Sequence, residues 1–104
     1  MNPHSINFNS IDWQSALPGQ RAKVFQTQGK QIRIVEFTDQ FVEPDWCRRG
    51  HIGYVLEGTL EIDFHGEKVI FHAGDGIIIS ADEADRHKAR SLTPVVRLLL
   101  IEDI

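Results

Sequence analysis

Apolar residues recur along this chain at every second position in short bursts, and glycine-bearing turns separate the bursts. The clearest burst is Thr59–Phe64. Leu60, Ile62 and Phe64 fall on one side, Glu61 and Asp63 on the other, the period of two that a half-buried strand requires. The same reading predicts strands at Ala22–Thr27, Gln31–Thr38, His51–Glu57, Lys68–His72, Ile77–Ile79, Arg86–Ala89 and Val95–Glu102. Gln28-Gly29, Gly58, His65-Gly66 and Ala73–Gly76 supply the turns. Phe41–Cys47 is irregular, with Pro44 marking a bend or an edge. Helical signal is confined to the start of the chain. There Ser10 is placed to cap a turn through Ile11, Asp12 and Trp13, which Pro18-Gly19 would stop. The predicted organisation is a lead-in over residues 1–20 and an all-β domain over residues 21–104. Its short, evenly spaced strands suit an antiparallel sandwich or barrel.

A chain of 104 residues is one domain on length alone. The net charge of −4, with Arg48-Arg49 and Arg86/Lys88/Arg90 as its only local cationic groups, gives no basic face for a nucleic-acid backbone. The single cysteine, Cys47, excludes an internal disulfide and suits a reducing, cytoplasmic setting. Met1–Ser10 lacks the apolar stretch of a secretory signal. The longest apolar runs, Ile77–Ile79 and Leu98–Ile101, are too short to cross a bilayer as a helix. Neither a nucleic acid nor a membrane is therefore an expected partner.

From Gly50 the pattern becomes specific. Gly50-His51-Ile52-Gly53-Tyr54-Val55-Leu56-Glu57-Gly58-Thr59-Leu60-Glu61-Ile62 resembles the first conserved stretch of the cupin superfamily. Phe71-His72-Ala73-Gly74-Asp75-Gly76-Ile77-Ile78-Ile79 resembles the second. The likeness implies an antiparallel jelly-roll β-barrel with a metal or small-molecule pocket inside it. The family places two histidines and a glutamate before the turn glycine and a further histidine after the second stretch. Counted back from Gly58, those positions hold Asp45, Cys47 and His51, and the later one corresponds to His87. The ligand set is therefore altered from the family's usual one.

Asp45, Cys47 and His51 share parity, so an extended backbone would send all three to one face. Carboxylate, thiolate and imidazole are all competent ligands. A thiolate–imidazole set suits zinc, iron, nickel or copper and disfavours magnesium and calcium. With Asp45 in place of Cys47 the set becomes two histidines and a carboxylate. Each residue also has a structural reading: a buried thiol for Cys47, a hydrogen-bonded core histidine for His51, a solvent-facing residue for His87, a turn residue for Asp45. His65 and His72 read as surface. Arg33 and Arg97 stand on apolar strands, where an inward arginine would bind a carboxylate or phosphate. Both also fit an outward position. Trp46 and Tyr54 are candidates for pocket wall, core or dimer face, and Arg33 and Tyr54 are taken as substrate-binding candidates. Three functions fit: a metal-dependent enzyme acting on a small polar metabolite, a binding or sensory module without metal, and a structural barrel. A homodimer is expected through the apolar strand Val95–Ile101 and the segment Ile6–Phe8.

Overall fold

In a computed structural model of the chain, the structure describes residues 3–104; Met1 and Asn2, at the start of the expected lead-in, lie outside them. Eight strands form: β1 (Gln20–Thr27), β2 (Lys30–Thr38), β3 (His51–Glu57), β4 (Thr59–Phe64), β5 (Glu67–His72), β6 (Gly76–Ile79), β7 (Lys88–Ser91) and β8 (Val95–Asp103). They make two antiparallel sheets, one of five strands in the order β1-β2-β8-β3-β6 and one of three in the order β5-β4-β7.

The central element is β8. It pairs with β2 from Lys30↔Asp103 to Thr38↔Val95 and with β3 on its other side. Its alternation is strict. Val96, Leu98 and Leu100 are buried against the core, and Glu102 continues the same inward row. Val35 and Phe37 of β2, Val55 of β3 and Ile77 and Ile79 of β6 join them from the same sheet. Leu60 and Ile62 of β4 close the core from the other. Phe37 stacks on Phe41 with ring centroids 4.7 Å apart. Leu60, Val35, Val55 and Val96 are wholly buried, each contributing roughly 1.5–3 kcal/mol of apolar transfer.

The β3–β4 turn requires glycine. Gly58 has φ +81°, and a Cβ there would lie 2.2 Å from the Val95 carbonyl oxygen. Two local expectations shift. The first helical turn is a 3-10 turn at Phe8–Ser10, capped by the Asn7 side chain through the Asn9 N–H at 3.2 Å, not a turn capped by Ser10. The strand expected at Arg86–Ala89 starts at Lys88. Asp82 caps a second 3-10 turn, Glu83–Asp85, which consumes the residues before it.

The outer face of the larger sheet carries two apolar rows. One runs across all five strands through Phe25, Ile32, Ile101, Ile52 and Ile78, and the next through Ile34, Leu99 and Tyr54. Ile78 is 85% exposed and Ile52 58%. An ion ladder, Arg21–Glu36–Arg97–Glu57, bounds these rows at one end, and the pair Lys30–Asp103 bounds them at the other.

Candidate metal centre

Cys47 and His87 are brought together by the backbone. Each donates its N–H to the other's carbonyl, at 2.8 and 2.9 Å, as an isolated bridge between the irregular segment before β3 and the loop before β7. His51, the first residue of β3, points inward because its parity matches Val55. The three side chains converge: one ligand atom from each lies within 4.8 Å of the others. Cys47 Sγ sits 3.7 Å from His51 Nε2. The two imidazoles meet edge to face, their centroids 5.1 Å apart.

The orientation of His51 is set by Glu102. This carboxylate is wholly buried at the end of the inward row of β8. It accepts from Gln31 Nε2 at 2.8 Å and from Arg33 Nε and Nη2 at 2.6 and 2.7 Å. His51 Nδ1 lies 2.5 Å from Oε2, the oxygen that Arg33 Nη2 also reaches, as a close charge pair. A buried carboxylate persists only when paired and hydrogen-bonded. Burial pushes the Glu102 carboxyl up, but His51, Arg33 and Gln31 together outweigh it and hold it at about 2. Burial likewise opposes protonation of His51, yet contacts with Cys47 and Glu102 raise it above its usual value. The Cys47 thiol is lowered, chiefly by His51, against the opposing effect of burial.

A proton on Nδ1 of His51, which faces the carboxylate, leaves Nε2, which faces Cys47, as the atom that would bind an ion. His87 is fixed in the same sense: Nδ1 donates to the Asp85 carbonyl at 3.0 Å, leaving Nε2 as its ligand atom. Anchoring one ring nitrogen so that the other faces the ion is how metal-binding histidines are oriented. The donor set fits a single ion. Tetrahedral zinc with ordinary zinc–sulfur and zinc–nitrogen bonds separates its S and N ligands by about 3.6 Å, close to the 3.7 Å between Cys47 and His51.

The cluster lies on the wall of a cavity of about 410 Å³ between the sheets, lined by apolar side chains together with Arg33, Glu43, Asp45 and Arg49. Asp45 thus faces the same space without joining the three converging side chains. Arg33 points inward, with two of its nitrogens committed to Glu102. Tyr54 does not line this cavity: its parity puts it on the outer face of β3, 47% exposed, where a substrate in the cavity does not reach it. Arg97 is also outward, paired with Glu36 and Glu57. His65 and His72 are exposed.

Sequence reasoning missed Glu102, Gln31, Glu43 and Arg49. Glu102 had a readable signal, a carboxylate in phase with Val96, Leu98 and Leu100. Glu43 had none, since it lies in the irregular segment before β3. Its Oε1 accepts from Ala89 N at 3.5 Å, its Oε2 is buried without a partner, and burial raises its carboxyl.

Comparison with known proteins agrees with this architecture. Residues 42–102 match the cupin domain family. The chain belongs to the cupin family. No curated protein matches it. Among solved structures, this cupin is similar to KdgF from Halomonas sp. at 27% identity, covering 92% of this chain and 91% of that one with a TM-score of 0.73. A cupin-2 domain protein from Shewanella frigidimarina is 23% identical over 80% and 79% of the two chains, with a TM-score of 0.64. A sugar phosphate isomerase of the cupin superfamily from Silicibacter pomeroyi shares the fold at 14% identity, over 96% and 75% of the two chains, with a TM-score of 0.76.

Because the folded carboxyl of Glu102 titrates at about 2, below its ordinary 4.5, its contribution to stability is full above pH 4.5 and fades as pH falls towards 2. Glu102→Gln is expected to cost about 3 kcal/mol at pH 7. Melting curves of both proteins from pH 7 to pH 2 should converge at the acid end. Curves that stay parallel would contradict this role.

Proposed function

We propose that Cys47, His51 and His87 hold one divalent transition metal (zinc, iron, nickel or copper) beside a cavity that takes a small polar metabolite. The observation that carries this reading is the convergence of the three ligand atoms with Nδ1 of both histidines already engaged. A thiolate with two imidazoles is a soft, nitrogen-rich set that favours those ions over magnesium or calcium. Asp45 faces the same cavity and is the candidate for a fourth ligand. The strand order supports reading the two sheets as a jelly-roll barrel, and a reducing compartment such as the cytoplasm would keep Cys47 a thiol.

When bound, the ion would supply Lewis acidity towards an oxygen of the metabolite. The chain's own residues do the rest. Glu102, held by Arg33 and Gln31, keeps the imidazole of His51 in one orientation. Glu43, its carboxyl raised by burial and its Oε2 without a partner, is the group on the cavity wall most inclined to hold a proton. Apolar side chains form the greater part of the remaining wall.

Protein purified without a histidine tag, then analysed for metals, tests this directly. About one equivalent per chain is expected, falling at least tenfold in Cys47→Ala, His51→Ala and His87→Ala while circular dichroism stays native. Absence of metal under every loading condition would overturn the proposal.

The outer rows of the larger sheet support a homodimer in which two copies stack these faces. Five strands of eight, nine, nine, seven and four residues, at about 4.8 Å spacing and about 3.4 Å per residue, give a face of roughly 600 Å². That approaches the roughly 800 Å² per partner of a stable interface. The charged ends then form the polar rim. Light scattering at micromolar concentration should give twice the chain mass, and Ile78→Glu should halve it. A monomeric wild type would contradict the dimer.

A further inference from the structure

We infer that the cavity binds a small monocarboxylate with an apolar body, and that Arg49 is the residue that holds its acid group. The inference rests on the proposal that this cavity is the ligand site. It adds the class of ligand and the residue that selects it.

The cations near the cluster are unequal. Arg33 is spent: its Nε and Nη2 both donate to Glu102, and its side chain is only 19% exposed. Glu102 is spent in turn, since Gln31, Arg33 and His51 surround both its oxygens. Arg49 differs. It lines this cavity and the adjoining one that Glu102 also lines, its side chain is 51% exposed, and among the described residues its one ionic contact is a distant 3.9 Å to Glu102. No hydrogen bond fixes its guanidinium among the described residues. Its position is nevertheless tight, because Arg49 sits midway between Cys47 and His51 and its backbone N–H faces the Cys47 thiol. A planar cation with open donors beside a ligand cavity recognises a carboxylate by paired hydrogen bonds.

The rest of the wall defines the body of the ligand. Leu17, Phe37, Phe41, Leu60, Ile62 and Leu98 present hydrocarbon to the space. A polyhydroxylated molecule would bury hydroxyls against these side chains without partners, at a cost for each. An aliphatic or aromatic body would gain from the same surface. Asp45 lines the same cavity and disfavours a second negative charge on the ligand. One acid group suits Arg49 and a short apolar remainder suits the hydrocarbon part of the wall, and a cavity of about 410 Å³ is within the range that small ligands occupy.

Isothermal titration of the full chain tests the assignment, with 4-methylpentanoate as probe and 4-methylpentanamide, gluconate and inorganic phosphate as comparisons. The acid should bind at least tenfold more tightly than any of the three. Arg49→Ala should weaken the acid at least tenfold and leave the amide unchanged. Arg49→Lys should restore part of the loss, and Arg90→Ala, on the smaller sheet, should have no effect. Failure of the wild type to bind the acid, or equal binding by Arg49→Ala, would overturn the inference. Gluconate, phosphate or the amide matching the acid would do the same. Metal content is measured on the same samples. Full metal without acid binding overturns this inference and leaves the metal centre standing. Acid binding through Arg49 in a protein that never takes up metal does the reverse.

Discussion

A single buried carboxylate organises the site of this cupin. Glu102 lies at the inner end of the central strand, with its side chain fully buried. Its charge is unaffordable there unless donors surround it. Gln31 and Arg33 come from the neighbouring strand on one side of β8 and His51 from the strand on the other. The demand of one charge for partners therefore ties three strands together and fixes an imidazole at the same time. Removing the charge would leave Arg33 and His51 without an anion and the candidate ligand without a support.

From that constraint the chemistry follows in order. His51 offers Nε2 because Nδ1 faces Glu102. Cys47 meets it because the backbone of Cys47 is locked to that of His87. His87 is aimed by the Asp85 carbonyl. The 3-10 turn that ends at Asp85 delays the start of β7 and leaves His87 free of the sheet ladder to make that bridge. Local features that look like irregularities in the strand pattern are thus the ones that bring the ligands together.

The fold was largely legible from the chain because a strand with one buried face reveals itself by alternation, as β4 does; β8 reads in sequence as an apolar run, and only its burial alternates. The site was legible in part. Cys47, His51 and His87 are recognisable as metal-competent residues near the family's ligand positions, and the structure places them around one point. Arg33 looked like a ligand anchor, but its partner was hidden in sequence: Glu102 is 69 residues away, and only strand pairing brings the two into contact. Tyr54, one of the substrate-binding candidates, is sent to the outer face by its register with His51, which alternation alone does not assign. Glu43 and Arg49 lie in a segment without periodicity, so nothing in the chain announced which way they face.

The most direct test is the tautomer of His51, read from long-range ¹⁵N–¹H correlation spectra of the zinc-loaded protein. A protonated Nδ1 and a metal-shifted Nε2 are expected for His51, with the Nδ1 proton signal altered in Glu102→Gln. Zinc on Nδ1, or a His51 spectrum indifferent to the loss of the Glu102 charge, would contradict the idea that this buried carboxylate builds the centre.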